Sequence, residues 1–388
     1  MLKPLTVAMI IALSSLATPT YAVQYKVTDL GVGRISGFGY DPKSINNAGE
    51  VLADRAIQIS PGSGTYYTRP AVWNGSAWLQ MPEISGRSGS DWTYWAGGLN
   101  SAGVVVGNSG LTAAEDDDSI SGNYQSFIWD TRANTVSFLN TPSYGSEHGA
   151  SDINDNGVIT GTMGNSGANY SGHAMTWKNS VYTDLSTRLQ PGNSDGQVIN
   201  NNGAVAGYDE LNSGLNVAFY ADAAKVDYLG PRQGGDDIWV NDMNDSGLVA
   251  LTGNTAAGEQ PQVGVVWDTN SGMVYELAVD PQWGSRANGV NNLGQVVGRS
   301  GGGAIWDAVN GLHMLYTDIL STTWGFYEGA DINDSGVIVG YGGLMNDHLP
   351  DSQKEFRMLM LTPVPEPETY ALMLAGLGLV GFAARRRA

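Results

Sequence analysis

Few residues in this chain have the types and spacing that catalysis needs. The four histidines, His148, His173, His313 and His348, are scattered and show no His-Glu-x-x-His or comparable ligand spacing. Gly-x-Ser-x-Gly, the pattern of a nucleophile elbow, occurs around Ser194 and Ser300. An elbow needs a strand before the serine and a helix after it. Neither segment continues as a helix, and chance matches are expected in a chain with 53 glycines. Asp152-Ile153-Asn154-Asp155-Asn156-Gly157 begins like a calcium loop, but Met163 stands where the twelfth-position glutamate is required, so a hairpin turn is expected. The acidic run Glu115-Asp116-Asp117-Asp118 offers weak calcium binding at most. No catalytic residue, metal ligand or cofactor is expected.

The aromatic residues say more. Phe38, Tyr40, Trp92, Trp95, Tyr144, Trp239, Trp283, Trp324, Phe326 and Tyr327 stand at the entry to recurring β-segments, beside many Asp and Asn. Aromatic faces stack on sugar C–H faces, and carboxylates and amides bond sugar hydroxyls. Tyr40, Trp92, Trp95, Tyr144, Trp239, Trp283 and Trp324 are therefore the candidate glycan-binding residues. The competing expectation is packing between repeats. Strand-end tryptophans such as Trp129 and Trp267 read as core.

The elements that position these residues repeat seven times. Asn46, Asn100, Asn154, Asn200, Asn244, Asn291 and Asn333 each follow an apolar residue and precede a glycine by three positions. A β-branched run such as Val104-Val105-Val106 comes next, often ended by a second glycine (Gly107, Gly161, Gly207, Gly298, Gly340), with Ala53 and Ala250 in the first and fifth copies. Apolar strand, Asn-x-x-Gly turn and returning strand describe a β-hairpin, the glycine taking φ > 0. A third segment (Ala71-Val72-Trp73, Phe127-Ile128-Trp129, Val265-Val266-Trp267) and a fourth (Tyr182-Thr183-Asp184-Leu185) complete a four-stranded unit. Tyr25 to Gly31 is of the fourth-strand type and Glu355 to Leu361 of the third. The two ends therefore pair and close a ring, which removes open edges. The fold class is all-β, a seven-bladed propeller of four-stranded blades closed by the N-terminal strand, over residues 23–362.

Composition agrees. The chain has no cysteine, so its core alone must hold it together. Its formal net charge is −19; Lys3, Arg385, Arg386 and Arg387 lie in the two end segments with Glu366 and Glu368, so the body between them is near −21. Such a field disfavours nucleic acid and anionic lipid.

The ends read as addresses. Lys3, the apolar run Leu5 to Leu16 and Thr20-Tyr21-Ala22 form a secretory signal peptide over residues 1–22, cut after Ala22. At the other end, residues 363–388 comprise a proline-stiffened spacer, Pro363 to Glu368, then an uncharged helical segment over 369–384, then Arg385-Arg386-Arg387. At about 1.5 Å per residue that segment reaches about 24 Å, short of a ~30 Å hydrocarbon core unless the bilayer thins or the arginines snorkel. The arginines are expected to stay cytoplasmic.

Through Pro365-Glu366-Pro367, the apolar stretch and the basic cluster, the tail resembles the PEP-CTERM sorting signal. The resemblance implies an inner-membrane-anchored precursor, processing by an exosortase-type membrane enzyme, and delivery to the cell surface or beyond in bacteria that make exopolysaccharide. The Ile-Asn-x-x-Gly turns, His173-Ala174-Met175 with Trp177, and Thr28-Asp29-Leu30-Gly31 resemble the HAF repeat of bacterial extracellular proteins, which implies no catalytic residues. The expected function is an exported, non-enzymatic matrix or envelope propeller that binds exopolysaccharide. The alternatives are a secreted polysaccharide lyase or hydrolase on the same scaffold, and a purely structural surface protein.

Overall fold

The computed structural model describes residues 23–32, 41–58, 66–84, 92–111, 125–139, 147–165, 171–210, 216–230, 237–254, 262–278, 280–321, 323–344 and 356–364. The signal segment with Ala22, and the tail with Pro365, Glu366, Pro367, the 369–384 segment and Arg385, Arg386 and Arg387, lie outside these residues.

β1 (Gln24–Val32) opens the described chain. Blade 1 holds β2 (Asp41–Ile45), β3 (Val51–Gln58), β4 (Tyr66–Trp73) and β5 (Trp78–Gln80); blade 2 holds β6 (Trp92–Leu99), β7 (Val104–Leu111), β8 (Gln125–Asp130) and β9 (Thr135–Phe138). Blade 3 holds β10 (Glu147–Ile153), β11 (Ile159–Asn165), β12 (Ser171–Lys178) and β13 (Val181–Asp184); blade 4 holds β14 (Ser194–Ile199), β15 (Val205–Glu210), β16 (Asn216–Ala221) and β17 (Val226–Leu229). Blade 5 holds β18 (Ile238–Met243), β19 (Leu248–Asn254), β20 (Gln262–Asp268) and β21 (Val274–Glu276); blade 6 holds β22 (Ser285–Val290), β23 (Val296–Ser300), β24 (Gly303–Asp307) and β25 (Gly311–Met314). Blade 7 holds β26 (Trp324–Ile332), β27 (Ile338–Leu344) and β28 (Arg357–Val364), and β1 is its fourth strand, giving the order β1-β28-β27-β26. Every sheet is antiparallel and four-stranded, as the repeat predicts.

The closing strand runs two residues past the expected boundary at 362: Pro363 pairs with Tyr25 and Val364 with Gln24. Beyond Leu361, β28 pairs with β1 alone, so the N–H that Pro363 lacks costs no bond to β27.

The first strand of each blade lines a central channel and ends in the Asn-x-x-Gly turn. The turn glycines, Gly49, Gly103, Gly157, Gly203, Gly247, Gly294 and Gly336, hold φ between +71° and +81°, where other residues are strained. Most first strands carry a bulge just before the turn, for example between Ala150 and Asp152. The second glycines have a separate reason. A Cβ on Gly161 or Gly207 would collide with the bulged strand's carbonyl, at Gly149 or Asp195.

Between blades, the inward faces pack into seven apolar clusters, one per seam among the described residues. Trp129, Trp177 and Trp267 are buried in them, so these strand-end tryptophans are core. Tyr25 and Leu30 of β1 are buried in the two seams of blade 7, so the closing strand is cemented by side chains as well as by its backbone.

Candidate functional site

The channel is organised level by level along the first strands. At its narrow end the seven turn asparagines form an unbroken ring. Each Nδ2 donates to the backbone carbonyl of the next blade's asparagine: Asn46 to Asn100 (3.0 Å), Asn100 to Asn154 (3.1 Å), Asn154 to Asn200 (2.8 Å), and so on to Asn333, which returns to Asn46 (3.1 Å). Each Oδ1 meanwhile accepts two N–H groups of its own turn, as Asn154 does from Asn156 (3.1 Å) and Val158 (2.9 Å). One side chain therefore shapes the hairpin and joins it to its neighbour. The next residues of the turns supply six links of a second circle: Asp155 Oδ1 accepts from Ser101 N–H, Asn201 from Asp155, Asp245 from Asn201, Asn292 from Asp245, Asp334 from Asn292, and Asn47 from Asp334. These circles enclose a small cavity of about 150 Å³.

Two residues before the ring asparagine, blades 3, 5 and 7 carry Asp152, Asp242 and Asp331. Each carboxylate uses Oδ1 on the N–H of its own next residue, and Oδ2 on the next blade: Asp152 on Ile199 (3.0 Å), Asp242 on Val290 (2.7 Å), Asp331 on Ile45 (2.7 Å). Neighbouring glycines make room, because a Cβ on Gly98 would meet Asp152 and one on Gly289 would meet Asp331. What these carboxylates expose faces the channel, with protein on every other side. Poor solvation pushes Asp152 from 3.8 up to about 6, and its backbone hydrogen bonds only partly oppose this. Asp242 and Asp331 are raised too, by burial first and then by the charges of the other channel aspartates. The sequence pattern Asp-x-Asn-Asp at blades 3, 5 and 7 was the signal that could have found this set. The calcium-loop likeness at Asp152 resolves into this structural duty.

Past these carboxylates the channel widens into a cavity of about 610 Å³, lined by Lys43, Gln197, Arg286, Asn288, Glu328 and Tyr341 among others. Arg286 and Glu328 lie five residues before their ring asparagines, and Trp95 and Trp239 hold the same register, so the structure brings these four to one level. Trp95 and Trp239 are half-buried. Trp92 is half-buried against the blade 1/2 cluster, and Trp324 against the blade 6/7 cluster, with the Arg357 guanidinium 5.9 Å from its ring centre. Those two serve the seams. Trp283 is 57% exposed and Tyr327 39% exposed, whereas Phe326 is buried. Tyr40 and Tyr144 lie outside the described residues, as do Phe38 and the acidic run at 115–118.

The elbow-like serines do other work. Ser194 is buried and its Oγ accepts the Ala174 N–H (3.0 Å), while the Ser300 Oγ donates to the Ala278 carbonyl (2.6 Å). Strands, not helices, follow both. Among the described residues no group of three or more His, Asp or Glu side chains is placed to hold a metal ion, and no helix is long and apolar enough to cross a membrane.

The PEP-CTERM protein-sorting motif matches residues 363–387. No curated protein matches the chain. Among solved structures the chain is similar to the β-propeller domain of the Trilobed protease from Pyrococcus furiosus (9% identity, 88% of this chain and 94% of that one, TM-score 0.49). It is also similar to acylaminoacyl peptidase from Pyrococcus horikoshii (9% identity, 90% of this chain and 54% of that one, TM-score 0.48) and to Trypanosoma rangeli sialidase (8% identity, 85% and 54%, TM-score 0.39). The chain spans about half the length of the peptidase. These likenesses concern the fold alone. The chain thus joins a closed ring of seven four-stranded sheets to a C-terminal PEP-CTERM protein-sorting motif, a combination that supports an exported protein.

Proposed function

We propose that this exported propeller binds polysaccharide at the wide mouth of its channel and performs no catalysis. The observation that carries the reading is the level at which Trp95 and Trp239 share the register of Arg286 and Glu328, above a polar cavity of about 610 Å³. Flat apolar rings beside amides and charges suit sugar rings, which present C–H faces and hydroxyl edges. The channel aspartates are engaged by two backbone N–H groups each, a structural duty that leaves them poorly placed for acid–base chemistry. An exosortase-type enzyme is the proposed partner of the tail, with the inner membrane a transient host and the cell surface or matrix the destination. The HAF-type repeat likeness fits such an extracellular role.

The test is titration of the full chain, in mild detergent, with the host's own exopolysaccharide, with and without calcium. Saturable binding that weakens in Trp239→Ala and Trp283→Ala supports the reading. Absence of binding in both conditions overturns it, and so does turnover of the polymer.

A further inference from the structure

In blade 6, β23 ends at Ser300 and β24 begins at Gly303, whereas β7 ends at Leu111 with β8 starting at Gln125, and β27 ends at Leu344 with β28 starting at Arg357. Gly301, at φ +73°, makes the tight turn, and Ser300 N–H bonds the Gly302 carbonyl across it. Blade 6 is thus the blade with the shortest connection between its second and third strands.

Beside this short connection, with Asp280 against Gly301, a rigid turn presents the exposed Trp283. Asp280 Oδ1 accepts the N–H groups of Gln282 (2.9 Å) and Trp283 (2.8 Å), and Gly284 N–H closes onto the Asp280 carbonyl (2.8 Å). Arg299 Nη2 donates to the Trp283 carbonyl (3.2 Å). Arg299 is also the direct cross-strand partner of Arg286 on β22. Like charges directly opposite each other destabilise a hairpin. In a chain with 38 acidic and 19 basic residues, two arginines at this spot call for a reason other than folding.

One carboxylate stands between them. Glu328 Oε1 lies 3.6 Å from Arg286 Nη1 and Oε2 lies 3.5 Å from Arg299 Nη1, both longer than a charge-assisted hydrogen bond. Glu328 Oε1 already accepts from Asn288 Nδ2 at 2.9 Å. The Nε of Arg299 is buried with no hydrogen-bond partner. Burial pushes the Arg299 guanidinium below its ordinary value; Arg286 pushes the same way and Glu328 opposes. Two guanidiniums around one carboxylate leave a positive charge unbalanced beside the cavity.

We propose that the blade 6 sector binds an acidic sugar, with Trp283 stacking on the ring and Arg286 and Arg299 taking its carboxylate. This rests on the polysaccharide reading above and narrows it to one ligand chemistry. Asp152, Asp242 and Asp331 at the channel floor oppose an anion, but each is tied to two backbone N–H groups that blunt its field.

The experiment is calorimetric titration of the full chain in detergent with a galacturonic acid oligomer, and with the same oligomer after its carboxyls are reduced to alcohols. The acidic oligomer is expected to bind at least about tenfold more tightly than the reduced one, and Arg286→Gln and Arg299→Gln to lose about tenfold or more of that affinity. Trp283→Ala weakens both ligands. Arg299→Lys, which keeps the charge but loses the planar fork, retains part of the preference, and thermal unfolding checks that each variant is folded. Equal binding of the two oligomers, or arginine variants that bind like the parent, overturns the acidic-sugar inference and leaves the polysaccharide reading standing. Binding of neither oligomer, with the host polymer still bound, overturns the inference alone. Binding of no polymer at all overturns both.

Discussion

Asn154 and Asn156 lie two residues apart in one turn, and their predicted sensitivities differ. Asn154 is buried and makes three hydrogen bonds, one of them to the next blade; Asn156 is exposed. Asn154→Ala leaves two turn N–H groups unpaired and removes a link to the next blade, and is expected to cost about 2–4 kcal/mol, against about 0.5 kcal/mol for Asn156→Ala. Chemical unfolding of the two variants checks this, and equal effects would deny the ring its role. The channel aspartates give a prediction in pH. Their folded values lie above the unfolded value, so the folded chain holds protons that the unfolded chain has released. Their contribution is complete below about pH 4 and is lost as pH rises towards 7, for Asp152 at most about 3 kcal/mol, less what channel water screens. Asp184, Asp222 and Asp268, with lowered values, act in the opposite sense, but only below about pH 4. The melting temperature is therefore expected to fall between pH 5 and pH 8, and Asp152→Asn to flatten the slope. A melting temperature that rises over that interval would contradict this account.

Legibility differs between hairpin and seam. The Asn-x-x-Gly turn, the β-branched return and the strand-end tryptophan repeat within one unit, so local pattern suffices to read them. The partner of each asparagine Nδ2 lies 42 to 54 residues away, or 287 for the closing link from Asn333 to Asn46, and a donor reaching into the next unit leaves no local trace. The alternation of Asp152, Asp242 and Asp331 with Gly98, Val198, Gly289 and Ser44 is likewise a relation between units. The facing arginines needed the register: the bulge between Ala287 and Gly289 sets Arg286 opposite Arg299. Among the aromatics, position before the first strand did not separate Trp92 and Trp324, which pack in seams, from Trp283, which does not. Trp92 and Trp283 stand equally far ahead of their ring asparagines, but Trp92 lies within β6 and packs on the blade 1/2 cluster, whereas Trp283 lies in the turn before β22.

At the scale of the molecule, closure depends on β1 lying along β28. The chain lacks cysteine, so a single engineered pair reports on it without interference. Lys26 and Thr362 face each other across the two strands. Lys26→Cys with Thr362→Cys is expected to form a disulfide under mild oxidation and to raise the unfolding temperature, by a few kcal/mol of stability for so long a loop. Unchanged gel mobility without reductant would show that the ends do not meet.

Gln24 pairs with Val364, and the Pro-Glu-Pro sequence begins at the very next residue. Along the chain β1 precedes the other described strands, and six complete blades separate it from the blade it completes. The last blade becomes whole only when the chain has been made as far as Val364. Completion of the ring therefore falls to the last described strand. A chain truncated before β28 would leave the edges of both β1 and β27 unpaired, so the strand that meets the sorting motif is also the one that seals the ring.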